Sequence, residues 1–105
     1  MKKYSVVFTP DAENNIGAIY DYIALDKGLP DVAITYIRKL KDACYRLEHA
    51  PIRWRDRGDI RKGLRIIALD KSAVAAFEVD ENLQVVIILG VFCGGQDYET
   101  IVRDD

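Results

Sequence analysis

Histidine and cysteine are scarce in this chain: one histidine, His49, and two cysteines, Cys44 and Cys93, in 105 residues. That scarcity argues against a structural zinc site, which needs about four such ligands at close spacing, and against a disulfide framework. A cysteine-nucleophile triad would have to bring Cys93, His49 and Asp97 together from separate segments. His49 sits at an expected helix C-terminus, where a cation is favoured in any case. Cys44, on the apolar stripe of a helix, reads as a small buried hydrophobe. Gly94–Gly95 lacks the remainder of a phosphate-loop pattern, so neither nucleotide nor any other cofactor is expected, and no metal.

Long apolar runs are absent too. None approaches the roughly 20 residues that span a bilayer, and the segment Met1–Phe8 meets Pro10–Asp11 too early to serve as the apolar part of a signal peptide. A cytoplasmic protein without a membrane partner is expected. Nor does one charge sign dominate. With 15 Lys and Arg against 17 Asp and Glu, the net charge is −2, which gives no general basis for binding DNA alone. The local distribution differs: Arg53, Arg55, Arg57, Arg61, Lys62 and Arg65 crowd one stretch, opposed only by Asp56 and Asp59. Such a run is either a solvated loop or a surface for a polyanion or acidic partner. Trp54 among these arginines suits stacking on a base or anchoring a protein contact, or else pins the loop to the core.

What is present is a clear order of elements. Tyr4, Val6 and Phe8 mark a short first strand. Thr9–Pro10–Asp11 then supplies a hydroxyl N-cap, a proline at the first helical position and an acid in the first turn. Ala12, Ile16, Ile19, Tyr20 and Ile23 form one helical stripe, closed by Gly28 and Pro30. Gly17 inside it costs up to about 1 kcal/mol against alanine and permits close packing. Ala33, Ile37, Leu40, Cys44 and Leu47 outline a second helix from about Pro30 to Ala50, ended by Pro51. Residues 52–63 read as a loop. Leu64–Leu69, Ala73–Val79 and Leu83–Phe92 read as three strands joined by the turn compositions Asp70–Lys71–Ser72 and Asp80–Glu81–Asn82.

These elements predict an α+β fold in one domain spanning residues 1–105: a strand, an antiparallel helical hairpin, and a three-stranded antiparallel meander in one small sheet. The first strand is expected to join the sheet antiparallel to either the second or the fourth. In Val85–Phe92 both odd and even positions are apolar, which predicts a strand buried on both faces. The helices cover one face. Part of the other is left for a partner or for the chain end, where Gln96–Val102 suits a short helix docked through Tyr98, Ile101 and Val102. Asp97 and Glu99 serve there either as a cap or as a carboxylate pair.

Three stretches resemble the RelE/ParE toxin superfamily of type II toxin–antitoxin systems. They are Phe8–Glu13 leading into Ile16, Ile19, Tyr20, Tyr22 and Ile23; the Gly63–Leu64–Arg65 entry to a strand; and Val85–Phe92 followed by Cys93–Glu99. The last is similar to the ending of ParE-like toxins, with Cys93 where many have histidine. The resemblance implies the fold already read and adds a function: ParE-like members poison DNA gyrase, RelE-like members cut messenger RNA on the ribosome, and antitoxins hold both inactive.

Gln96 stands where RelE-like enzymes tend to have arginine, and glutamine cannot carry the positive charge that a phosphorane-like transition state needs. The expectation is therefore a gyrase-binding toxin with no catalytic residue of its own, neutralised by a ParD-like antitoxin. Target contact is expected from Arg53, Trp54, Arg55, Arg57, Arg61 and Arg65 and from Gln96, Asp97, Tyr98 and Glu99. Antitoxin contact is expected through Val86, Ile88 and Phe92 on the uncovered sheet face. The alternatives are a ribosome-dependent endoribonuclease using Arg61, Lys62, Arg65 and Tyr98, or an inactive homologue that serves only as antitoxin partner and co-repressor.

Overall fold

Thr9 sets the junction from which the fold is built. The computed structural model describes residues 3–49 and 55–93, and in it strand β1 (Ser5–Phe8) runs into helix α1 (Pro10–Asp21). Thr9 Oγ1 accepts the Ala12 N–H at 3.1 Å. Pro10 fills a position whose N–H would lack a partner anyway, while Asp11 and Glu13 sit at the positive end of the helix dipole. The helix widens into a π-helical turn (Tyr22–Asp26) and stops at Gly28, whose φ of +70° is left-handed backbone that a side chain resists. Helix α2 (Pro30–Tyr45) follows and ends in a 3-10 turn (Arg46–Glu48).

Four further strands, β2 (Arg55–Asp56), β3 (Arg65–Ala68), β4 (Ala73–Asp80) and β5 (Val85–Cys93), complete one sheet in the order β1-β5-β4-β3-β2. Strands β3, β4 and β5 form the expected antiparallel meander. The aspartates of its turns act as local caps: Asp70 Oδ1 accepts the Ser72 N–H at 2.8 Å and Asp80 Oδ1 the Leu83 N–H at 3.0 Å. Gln84 adopts φ 54°, so β5 begins at Val85 rather than Leu83. The sequence reading has only a loop where β2 lies. Two residues carry no periodicity, and the pairing of Arg55 with Ile66 and Asp56 with Arg65 is a tertiary event.

The placement of β1 corrects an expectation. It pairs with β5 in parallel, from Ser5 opposite Val85 to Phe8 opposite Ile88, not antiparallel to a neighbour. The chain after α2 comes back along β1. Tyr45 meets the Phe8 ring edge-on, with centroids 5.6 Å apart, at the end of β1. The 3-10 turn then carries the chain back to the beginning of β1, where the Tyr4 N–H donates to the Glu48 carbonyl at 2.9 Å and Lys3 bridges to His49. The last strand of the meander runs with β1, and the sheet is mixed.

A β-bulge decides which residues of β5 face which side. Phe77 opposes Ile88 and Ala76 opposes Gly90, which leaves Leu89 as the extra residue. The alternation flips across it. Val86 and Ile88 before the bulge and Val91 after it pack in the main core with Ile16, Ile19, Leu40, Cys44, Leu47 and Phe77, beneath the helices. Phe92 joins Ile60, Leu64, Ile66 and Ala76 in a second cluster on the other face, with Leu89 against it. The loop before β3 therefore folds over the sheet and covers part of the face opposite the helices.

Candidate functional site

The basic loop is tied down by its own backbone and carboxylates. The Arg57 N–H donates to the Leu64 carbonyl at 2.8 Å, Ile60 and Arg61 donate to the Arg57 carbonyl, and Asp56 Oδ1 accepts the Gly58 N–H at 2.8 Å. Gly63, at φ +83°, turns the chain into β3. Ile60 and Leu64 anchor this loop in the second cluster. Beside these anchors two of the arginines find carboxylate partners. The Arg57 guanidinium grips Asp59 through two bonds of 3.0 Å, and its side chain is only 18% exposed. Arg61 reaches Glu78 of β4 at 3.4 Å. Glu78, a strand residue distant in sequence, is the acid that sequence reasoning did not set against the arginines.

The cations expected to act together are not brought to one face. Arg65 is opposite Phe77 in the β3–β4 register and alternates with Ile66, which places it on the helix side of the sheet. Arg61 pairs with Glu78, whose neighbour Phe77 faces the helices, so this pair belongs to the opposite side. Lys62 is exposed and Arg65 half-buried. Arg55 lies in β2. Arg53, Trp54, Gln96, Asp97, Tyr98 and Glu99, together with the Gln96–Val102 helix, lie outside the described residues.

The strand residues expected on an uncovered face need correction. Val86 and Ile88 are 0% exposed and lie beneath the helices, and Phe92 is 4% exposed within the second cluster. Even positions of β5 ahead of the bulge point to the helices. The apolar side chains left on the other face in that half of the sheet include Val7, 45% exposed, its register partner Ile87 and, two residues earlier, Val85, the last two half-buried.

Sequence reasoning also missed how the free edge of β5 is closed. Strand β1 ends at Phe8, so the groups of β5 beyond Ile88 lose their strand partner on that side. Helix α1 supplies replacements: the Thr9 N–H donates to the Ile88 carbonyl at 3.0 Å, Thr9 Oγ1 to the Leu89 carbonyl at 3.2 Å, and Asn15 Oδ1 accepts the Val91 N–H at 3.1 Å. Asn15 was legible only as a polar residue beside an apolar stripe. Below it lies a cleft of about 510 Å³ between α1, α2 and the end of β5, lined by Ile19, Tyr22, Tyr36, Val91 and Cys93.

The titratable groups at that end are held neutral or paired. Burial first, and then Asp70, pushes the Cys93 thiol up, and the same two influences raise the Tyr36 phenol to about 12. Burial favours protonation of Asp70, yet hydrogen bonds from Ser72, Tyr36 and Ala73 and the charge of Lys39 outweigh it and hold the carboxyl below its ordinary range. A neutral thiol is a poor nucleophile. His49 pairs with Glu48 at 3.2 Å near the start of β1, whereas Cys93 closes β5, which runs parallel to β1. The two do not form a dyad. Among the described residues no group of histidine, cysteine or carboxylate side chains is placed to hold a metal ion, and no helix is long and apolar enough to cross a membrane.

No curated protein sequence matches this chain. Among solved structures, the chromosomal ParDE TA system from P. aeruginosa superposes with a TM-score of 0.72 at 22% identity, over 89% of this chain and 98% of the other. A chain of the toxin–antitoxin complex RelBE2 from Mycobacterium tuberculosis superposes with a TM-score of 0.59 at 16% identity, over 88% of this chain and 99% of the other. At these identities the structures establish a shared fold. The family described as the ParE toxin of the type II toxin–antitoxin system parDE matches residues 6–98, nearly the whole length. The chain belongs to the ParE toxin family.

Proposed function

We propose that this chain acts as a ParE-like toxin, a single-domain cytoplasmic protein that poisons DNA gyrase and is held inactive by a ParD-like antitoxin. The observation that carries this reading is the family match over residues 6–98. The arrangement of the arginines supports it over the ribonuclease alternative. In-line cleavage of RNA needs cations converging on one phosphate together with a group that moves protons. Here Arg57 is engaged by Asp59, Arg61 by Glu78, and Arg65 stands on the other side of the sheet. A binding toxin needs no such convergence; its energy is spread over a surface with a few dominant anchors.

The test is expression of the toxin with and without a ParD-like antitoxin. Growth arrest relieved by co-expression is expected. Purified toxin added to translating ribosomes is expected to leave messenger RNA intact. Cleavage that disappears in Arg65→Ala, with ribosome binding retained, would replace the gyrase reading with the ribonuclease one. Absence of growth arrest from folded protein would favour the inactive homologue.

A further inference from the structure

The cleft between α1, α2 and the end of β5 has the size and lining of a small-molecule site. Its volume is about 510 Å³, inside the range of roughly 300–1,000 Å³ that such sites span. Ala18, Ile19 and Ile23 give it an aliphatic wall, and Val91 of β5 closes it toward the sheet. Tyr36 of α2 supplies an aromatic wall. The π-helical turn that widens α1 begins at Tyr22, on the edge of the same cleft. Such turns recur at functional sites.

Its polar groups are few and each has a defined role. Asn15 Oδ1 accepts the Val91 N–H at 3.1 Å. An N–H bonds only to the amide oxygen, so what Asn15 brings to the cleft wall is Nδ2, a donor. The Tyr36 hydroxyl donates to Asp70 and accepts from Ser72, so α2 offers the ring. Cys93 lines the same end, and burial together with Asp70 keeps its thiol protonated. An anion entering here loses its hydration and approaches the ionised Asp70. A cation is desolvated as well, and Asp70 is already matched by Lys39 at 3.9 Å.

We propose that this cleft binds an uncharged, planar aromatic molecule of two fused rings bearing a carbonyl group. The rings lie between the aliphatic wall of α1 and the Tyr36 ring, and the carbonyl oxygen accepts from Asn15 Nδ2. An apolar cavity of about 150 Å³ holds one benzene ring, so a cleft of this volume has room for two. Such a site needs neither the toxin's target nor its antitoxin, and its ligand is recognised by this chain alone.

The experiment follows the methyl resonances of Ile19, Ile23 and Val91 in the full chain while naphthamide is added, beside naphthoate of the same shape, for wild type, Ala18→Leu and Asn15→Asp. Ala18 is exposed on α1, so leucine there keeps a good helix former while filling the cleft. Aspartate at position 15 keeps an oxygen for the Val91 N–H and removes the donor. Wild type is expected to show saturable shifts with naphthamide and slower alkylation of Cys93 by iodoacetamide; Cys44, 0% exposed, does not compete for the reagent. Ala18→Leu, with the rest of its spectrum in place, is expected to lose the shifts. Asn15→Asp is expected to bind naphthamide about tenfold more weakly, and wild type to bind naphthoate more weakly by about the same factor. Folded wild type without saturable shifts, undiminished binding by Ala18→Leu, or naphthoate bound as tightly as naphthamide would overturn the site.

Discussion

Gly90 shows how a single position ties the two cores together. A Cβ there would lie 2.5 Å from the Phe92 ring and 3.1 Å from Asn15 Oδ1. Phe92 is buried in the second cluster, so the ring has little room to yield. Gly90→Ala is expected to cost about 1–3 kcal/mol, the usual range for overpacking, read from the midpoint of urea unfolding. An unchanged midpoint would mean that Phe92 does not fold back over the bulge.

Cys44 carries a pH dependence of definite sign. Burial pushes its thiol up to about 12 from 9.0, with nearby Lys41 opposing. The unfolded thiol therefore ionises first. The contribution is fully present below the unfolded value and is lost as pH rises through it toward the folded one. Unfolding midpoints measured between about pH 8 and pH 10.5 should fall more steeply for wild type than for Cys44→Ala. Asp70 is the converse case: with its folded pKa held below 3.8, its contribution is present above that value and lost as pH falls through the folded one.

At the scale of elements, the sheet is held by pairings that differ in how visible they were beforehand. The helix starts were legible because Thr9–Pro10–Asp11 and Pro30 act locally, and the helical stripe of Ile16 and Ile19 reached the core as read. The turns at Asp70 and Asp80 were legible for the same reason. The parallel pairing of β1 was not, because it joins segments about 80 residues apart and no local signal encodes its direction. The bulge was hidden too. Val85–Phe92 looked buried on both faces because the alternation flips at Leu89, so both parities are apolar in one continuous run. The assignment of Val86 and Ile88 to an uncovered face failed for this reason.

The loop arginines belong to this scale as well. The sequence signal was a cluster of positive charge, and the partner Glu78 comes from β4, far along the chain. Both side chains of the Arg61–Glu78 pair are about one-third exposed, 32% and 31%. Such a pair contributes little, so Arg61→Ala is expected to lower stability by no more than about 1 kcal/mol. Thr9→Ala should cost more, about 1–2 kcal/mol, since it removes the helix cap and the bond to the Leu89 carbonyl together. If thermal unfolding ranks these two variants in the reverse order, the loop rather than the α1 junction is the stronger tie.

For the whole molecule, helices cover one face of the sheet, the basic loop covers part of the other, and an apolar groove stays open on the outside of the helical pair. This distribution favours a protein that works by surfaces. The membership of the ParE toxin family makes gyrase the proposed target, and the central claim is that the chain acts on it without cutting RNA itself. The most direct measurement incubates antitoxin-free protein with gyrase, ATP and supercoiled plasmid, adds detergent and protease, and looks for linear DNA, with a gyrase-free lane beside it. Linear product that requires both proteins is the expected result. Folded protein that arrests growth yet yields no linear DNA would contradict the gyrase reading.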